Sequence, residues 1–295
     1  MVNWMRKKHP IGRFSFLPTV YNRKKGEMKG AADMKQVLSI AGLDSLAGGG
    51  MTADLKTFEE FGVFGHALLT CVVAIKDDLM FHDLPEPVIQ AQLDSLRSVV
   101  SLDAIKIGLL HQTAIIELLR DFLQTFTGPI VLDPVLAFKE GDTAFNHSYQ
   151  AGLISLFPYT ALVTPNLLEA QHLSGQSITS LAEMKTAAKK IHALGAPNVL
   201  IKGGSRLTGE TAYDVLYQEG QFTVFEAEKS TRTTTNGAGC TLSSAIAAML
   251  AKGTSLEAAI QTAKAFVWAG IEDGLPLGTS GNVNQLAYFK KEEHL

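Results

Sequence analysis

The chain has 295 residues, 46% of them hydrophobic, with 26 glycines and a formal net charge of -3, which suits one large α/β domain or two small ones and excludes a disordered chain. Residues 1–35 carry nine Lys/Arg against Glu27 and Asp33, leaving 17 basic and 27 acidic residues, about -10, for the remainder, and an acidic body argues against nucleic acid as a partner. The two cysteines, Cys71 and Cys240, fit neither a disulfide framework nor a metal cluster and point to the cytoplasm, and no apolar run reaches the roughly 18 residues of a membrane span.

Residues 1–33 are basic and aromatic and lack the apolar stretch of a secretory signal. The composition changes at Met34, so they are expected to be a dispensable leader before one domain over 34–295. Residues 37–42, VLSIAG, read as a buried strand ended by glycine. Next come a glycine-rich turn and apolar positions at helical spacing, Met51, Leu55, Phe58 and Phe61. Gly42, Gly48, Gly49 and Gly50 do not match a dinucleotide fingerprint, and no Lys-Ser/Thr follows as a phosphate loop requires. The turn instead offers close backbone approach to a ligand, with Asp44 and Asp54 on either side. Either acid can be a cap or a surface charge; Asp54 is the better candidate to face a ligand.

Residues 66–75 read as a second buried strand, followed by a polar loop. A helix over 88–100, a strand over 104–110 and a helix over 113–126 come next, then a strand from 129, an Asp-Pro break and a charged glycine loop to 142. Residues 162–175 repeat strand into helix. A weak helix over 180–195 leads to a strand ending in Lys202-Gly203-Gly204, where the ammonium can reach a phosphate or be an ordinary loop lysine. Residues 212–228 read as a hairpin around Glu219-Gly220, and 255–274 as an amphipathic helix with Trp268 in the core. The alternation predicts an α/β fold, a central mostly parallel sheet flanked by helices on both faces, with ligands at the carboxyl ends of its strands.

One stretch concentrates the chemistry: residues 235–244, TNGAGCTLSS. Gly237 and Gly239 let backbone N–H groups turn toward one point, and the helix starting there adds the positive end of its dipole. That describes an anion site, and a thiol in its first turn, Cys240, is expected to have a lowered pKa. The plainer reading is a small-residue helix start with a buried cysteine. Cys71, in an apolar strand, reads as an inert packing residue, and His66, His82, His111, His147, His172 and His192 as scattered histidines rather than metal ligands.

The segments IAGLDSLAGGGMTADLKTF, KIGLL, VLDPVLAFKEGD, TPNLLEA, IKGG and NGAGCTLSSAIAA follow one another between about Met34 and Gly274. In that order they resemble the ribokinase-like superfamily, and within it the vitamin kinases that phosphorylate a hydroxymethyl group on pyridoxal-type or hydroxymethylpyrimidine rings. The resemblance implies that Gly42, Asp54, Val73, Leu109 and Val135 line a substrate ring pocket. It implies that Asn166 and Glu169 organise Mg2+ and its waters near the phosphates, and that Lys202 and Gly204 help hold ATP. Gly237, Ala238 and Gly239 would supply N–H groups to the transferring phosphoryl, and Cys240 would be the catalytic base. A homodimer and a lid formed by the 136–145 loop are also implied. Ile75 and Lys76 stand where the pyrimidine branch usually has a Glu-Asn pair, which resembles the pyridoxal-phosphorylating bacterial branch. Phe138, in place of a lid cysteine, with Leu43 and Asn236, are departures. The expected activity is ATP- and Mg2+-dependent phosphorylation of pyridoxal, pyridoxine or pyridoxamine. The alternatives are a hydroxymethylpyrimidine/phosphomethylpyrimidine kinase of thiamin biosynthesis, or a non-catalytic ligand-sensing relative that uses its basic leader for docking.

Overall fold

Burial on both faces of the central strands decides the architecture. The structure, a computed structural model, describes residues 34–75, 79–136 and 143–292. The expectations for residues 1–33, Lys76 and Phe138, and for most of the 136–145 lid loop, lie outside the described residues. In chain order the elements are β1 (Gln36–Asp44), α1 (Gly50–Glu60), β2 (Phe64–Ile75), β3 (Leu79–Asp83), α2 (Glu86–Val99), β4 (Ala104–Ile107), α3 (Thr113–Gln124), β5 (Ile130–Leu132), α4 (Thr143–Leu156), β6 (Leu162–Val163), α5 (Leu167–Ser174) and α6 (Leu181–Ala193). There follow β7 (Val199–Lys202), β8 (Thr211–Gln218), β9 (Gln221–Glu228), α7 (Ala238–Ala251), α8 (Leu256–Glu272), β10 (Leu275–Leu277), β11 (Ser280–Asn282) and α9 (Ala287–Glu292).

Among the described residues, nine strands form one sheet in the order β3-β2-β1-β4-β5-β6-β7-β8-β9, and β10 pairs with β11 apart from it. The six strands from β2 to β7 in that order run parallel. β3 is an antiparallel edge on β2, and the β8–β9 hairpin closes the other side. This is the expected mostly parallel α/β sheet.

Successive strand residues point to opposite faces, and here both faces are apolar. Leu38, Ile40, Ile105, Ile107, Ile130 and Leu132 pack on one side with α2 to α6. Val37, Ala104, Val131, Leu162 and Leu200 pack on the other with α1, α7 and α8. Each fully buried aliphatic side chain contributes roughly 1.5–3 kcal/mol, so the two layers fix the sheet and leave its carboxyl edge free for polar residues. Two positions beyond Val37, Ala104, Val131, Leu162 and Leu200 stand Ser39, Lys106, Asp133, Thr164 and Lys202. They form a polar row across five neighbouring strands on the α7 side, with the first four members buried.

The segment read as a polar loop after residue 75 contains β3, five mostly exposed residues without alternation among charged neighbours. α4 was not expected either. Its buried positions Tyr149, Leu153 and Leu156 have helical spacing, but they lie among Asn146, His147, Ser148, Gln150 and Gly152, residues of modest helix propensity. No helix among the described residues is long and apolar enough to cross a membrane.

Candidate active site

Two helix N-termini, those of α1 and α7, meet above the polar row. Gly50, first residue of α1, has φ +60, and a Cβ there would lie 2.2 Å from the Gly42 carbonyl. Gly237, the N-cap of α7, has φ +84, and its Cβ would lie 1.7 Å from the Gly48 carbonyl. Only glycine lets these two backbones approach so closely in the left-handed region. At the meeting point the Gly50 N–H donates to Cys240 Sγ at 3.4 Å. The turn between β1 and α1 is held by Asp44, whose Oδ2 accepts from the N–H groups of Gly48 and Gly49, each at 3.0 Å. The Ala238 N–H is already taken by the Thr235 carbonyl at 3.1 Å. This corrects its expected role as a free donor, and the Gly239 and Cys240 N–H groups remain as first-turn donors without an intrahelical partner.

Beneath this cradle lie two buried ion pairs. Lys106 Nζ donates to both carboxylate oxygens of Asp54 at 2.8 Å, and Lys202 Nζ donates to Asp133 Oδ1 at 2.7 Å. Asp54 also accepts from Ser39 Oγ at 2.6 Å and Ser244 Oγ at 2.7 Å. Fully enclosed and saturated in this way, Asp54 sits under the substrate turn and not on a pocket wall, which corrects its expected contact with the ring. Burial works against the charged forms of both lysines, but the neighbouring carboxylates, Asp54 for Lys106 and Asp133 for Lys202, outweigh it and raise both ammonium pKa values.

The Cys240 thiol is raised, opposite to the expectation from its helix position. Burial is the largest cause; Lys106 and the Gly50 N–H pull it down, while Asp133 and Asp54 add to the rise. Desolvation of the thiolate thus outweighs the pull of Lys106 and of the Gly50 N–H. The Cys71 thiol, fully buried, is pushed to about 11 mainly by desolvation, as expected of an inert packing residue.

Asn166 and Glu169 form a capping box at the start of α5. The Glu169 N–H donates to Asn166 Oδ1 at 3.0 Å, and Glu169 Oε2 accepts from the Asn166 N–H at 2.7 Å. The spacing that suggests a metal element is therefore also a helix cap. Desolvation raises the Glu169 carboxyl to about 7 against the pull of Lys202, with Asp133 reinforcing the rise.

A cavity of about 380 Å³ opens beside the cradle and is lined by Asn166, Lys202, Gly204, Ala238 and Gly239. Five residues expected around a nucleotide thus share one wall. Three further lining residues, Lys264, Trp268 and Ile271, lie at i, i+4 and i+7 on α8. Trp268 is 38% exposed, not in the core as expected, because the core face of α8 is formed by Ala259, Ile260, Ala263 and Phe266. Lys264 Nζ pairs with Asp214 Oδ2 at 2.6 Å, and Asp214 Oδ1 accepts from the Gly203 N–H at 3.0 Å, bracing the Gly203-Gly204 turn.

Of the residues expected around a ring, Gly42, Val73, Leu109 and Val135 stand at or near the ends of β1, β2, β4 and β5, and none of the four lines that cavity. A Cβ on Gly42 would meet Cys71 Sγ at 2.7 Å and Leu109 Cδ2 at 3.4 Å. The Val73 carbonyl accepts from both Ser45 N–H and Ser45 Oγ at 3.0 Å, tying β2 to the turn. The Tyr149 hydroxyl accepts from the His111 N–H at 3.1 Å and donates to the Val135 carbonyl at 3.4 Å, joining the exits of β4 and β5. Leu109 and Val135 are half-buried. Of the departures, Leu43 bridges to Gly50 and the Asn236 amide donates to Ser280 Oγ at 3.3 Å. Sequence reasoning passed over Lys106, Asp133 and Ser244; the first two are lone polar residues in or just after an apolar strand, and Ser244 is one of a serine pair in an otherwise apolar helix.

The sequence profile of the family described as phosphomethylpyrimidine kinase matches residues 44–284. A pyridoxine kinase of Bacillus subtilis is 40% identical over 251 residues, 83% of this chain and 93% of its own length. A hydroxymethylpyrimidine/phosphomethylpyrimidine kinase of Haemophilus influenzae is 39% identical over 267 residues, 88% of this chain and 99% of its own length. The solved structure of a pyridoxal kinase from Staphylococcus aureus in complex with AMP-PCP and pyridoxal superposes with a TM-score of 0.81 at 36% identity, covering 86% of this chain and 94% of that one. By profile, sequence and fold, the chain belongs to the phosphomethylpyrimidine kinase family, vitamin kinases of the ribokinase-like fold.

Proposed function

We propose that this protein transfers the terminal phosphoryl group of ATP to the hydroxymethyl group of pyridoxal, pyridoxine or pyridoxamine. The carrying observation is the meeting of the α1 and α7 N-termini at Cys240, between the cavity of Lys202 and Gly204 and the Gly42, Val73, Leu109 and Val135 cluster. The relative named above that binds both AMP-PCP and pyridoxal supports the same arrangement.

Each group then has a task. Lys202, braced by Asp133, offers its ammonium to the phosphates, and the Gly239 and Cys240 N–H groups with the α7 dipole face the charge that builds on the transferring phosphoryl. Trp268 and Ile271 supply apolar surface for a nucleobase. The residues present fit Mg2+: such a site keeps most of its water ligands and needs only one or two carboxylates, and Glu169 is a buried carboxyl whose capping partner Asn166 lines the cavity. The ion would neutralise phosphate charge there. Cys240, as thiolate, accepts the hydroxyl proton, and its raised pKa makes activity climb into the alkaline range.

A second reading, phosphorylation of hydroxymethylpyrimidine and its monophosphate, is favoured by the similarity to the Haemophilus influenzae kinase. Ile75, where a Glu-Asn pair begins in the pyrimidine branch, speaks for the B6 vitamers. Acceptor competition decides: pyridoxal and hydroxymethylpyrimidine at equal concentration with Mg-ATP should yield pyridoxal phosphate first, and the reverse order overturns the leading reading. Cys71 and Cys240 are both free thiols, in keeping with the reducing cytoplasm. Residues 1–33 are dispensable for turnover on this account, and kinetics of a chain starting at Met34 test that. Ile75, Leu79 and Met80, respectively 53%, 54% and 40% exposed along the β2–β3 edge, support a homodimer through that edge; sedimentation of Leu79→Lys as a monomer is the expected outcome.

A further inference from the structure

The Asp54–Lys106 pair does not line the nucleotide cavity, yet it sits one helical turn below Cys240. Two rungs join α1 to α7. At the tips, the Gly50 N–H meets Cys240 Sγ at 3.4 Å. Four residues further along both helices, Asp54 Oδ1 accepts from Ser244 Oγ at 2.7 Å. Positions i and i+4 lie on one helix face, so the second rung continues the first. Lys106 from β4 grips both Asp54 oxygens at 2.8 Å, and Ser39 from β1 adds a bond at 2.6 Å. One carboxylate thereby ties β1, β4 and α7 to α1. Removing two charges from water costs several kcal/mol per ion, and apolar replacements are often as stable. Stability alone is a weak reason for such a pair beneath the Cys240 thiol.

We propose that the buried Asp54–Lys106 pair is a positioning device for Cys240, locking the tips of α1 and α7 together and setting the charge under which the thiol keeps or loses its proton. The proposal rests on Cys240 standing in the phosphoryl-transfer site, but its thiol chemistry can be read without turnover. The charged groups facing Cys240 are Lys106 from β4, Asp54 from α1, Asp133 at the exit of β5 and Lys202 at the end of β7. Asp44 of the substrate turn is committed to the Gly48 and Gly49 N–H groups, and the first and last turns of α7 carry no charged residue. Lys106 favours the thiolate, whereas Asp54 and Asp133 oppose it. The two partners of one ion pair therefore act on the thiol with opposite sign.

The test is the rate of Cys240 carboxamidomethylation by iodoacetamide as a function of pH, with the modified residue located by mass spectrometry. Cys71, buried with its thiol pushed to about 11, does not compete. Lys106→Met should slow alkylation about tenfold near pH 8 and Asp54→Asn should speed it by a similar factor, about one pKa unit per charge removed. The double variant should return to within about threefold of the parent by the same scale. Ser244→Ala removes the lower rung without removing a charge, so it should lower kcat while leaving the midpoint pH of alkylation in place. If Lys106→Met does not fold, the comparison of Asp54→Asn with Ser244→Ala still decides. Shifts of the same sign in Asp54→Asn and Lys106→Met, or equal midpoint shifts in Asp54→Asn and Ser244→Ala, would show that only helix packing had been loosened and would overturn the proposal. Absence of ATP turnover in the parent protein would defeat the kinase reading and leave the alkylation comparison standing.

Discussion

Replacing Glu169 by Gln should change the pH dependence of stability more than stability itself. Gln keeps the capping box, because its amide oxygen can accept the Asn166 N–H that Glu169 Oε2 now accepts at 2.7 Å. What the variant loses is a carboxyl raised from 4.5 to about 7, first by desolvation. The native state therefore holds this proton more tightly than the unfolded chain does. Stability is at its full value below the unfolded pKa near 4.5, falls as pH rises, and levels off once pH passes the folded value of about 7. A gap of about 2.5 units at about 1.4 kcal/mol per unit gives a loss of about 3 kcal/mol. For a domain of this size that is about 6–12 °C in melting temperature. Thermal melts of the parent and Glu169→Gln between about pH 5 and pH 8 isolate the effect, since other titrations cancel in the difference. The variant should gain on the parent by several degrees across that window. A constant difference would mean that Lys202 keeps Glu169 ionised throughout, and the burial argument would be wrong.

Three further outcomes follow from the geometry. Cys240→Ala should lose about 10²–10⁴-fold in kcat, together with the alkaline rise in activity, while its melting temperature stays close to the parent's; near-normal turnover would remove the base role. Lys202→Met should raise the KM for ATP and, by stranding buried Asp133, cost about 3–5 kcal/mol of stability. Adding Asp133→Asn should restore the stability but not the KM, as melts and initial rates would report. Gly237→Ala should abolish turnover, because the new Cβ would lie 1.7 Å from the Gly48 carbonyl at a φ of +84; a fully active variant would show that the contact between turn and helix is not required.

The sheet was legible because its strands are buried on both faces and read as unbroken apolar runs, VLSIAG and PIVLDP among them. α7 announced itself through glycines before an alanine-rich stretch. β3 and α4 were not legible: the first is a short edge strand among charges, and the second buries only a narrow stripe through Tyr149 and Leu153. In the site, glycine turns and strand-exit residues carried the signal, and Gly204, Gly239 and Lys202 line one cavity. Asp54 was misplaced because its partners, Lys106, Ser39 and Ser244, come from β4, β1 and α7, and no local pattern reveals a carboxylate saturated from three distant segments. The Cys240 thiol was assigned the wrong sign because helix position can be read from sequence and desolvation cannot. Trp268 was read as core because α8 carries two apolar faces, one buried and one lining the cavity.

The central claim is tested most directly by following ADP release from Mg-ATP with pyridoxal, pyridoxine, pyridoxamine and hydroxymethylpyrimidine offered one at a time. Turnover with the three B6 vitamers above that with the pyrimidine is the predicted result. A preference for the pyrimidine would place the protein in thiamin synthesis, and silence with all four acceptors would contradict the kinase account.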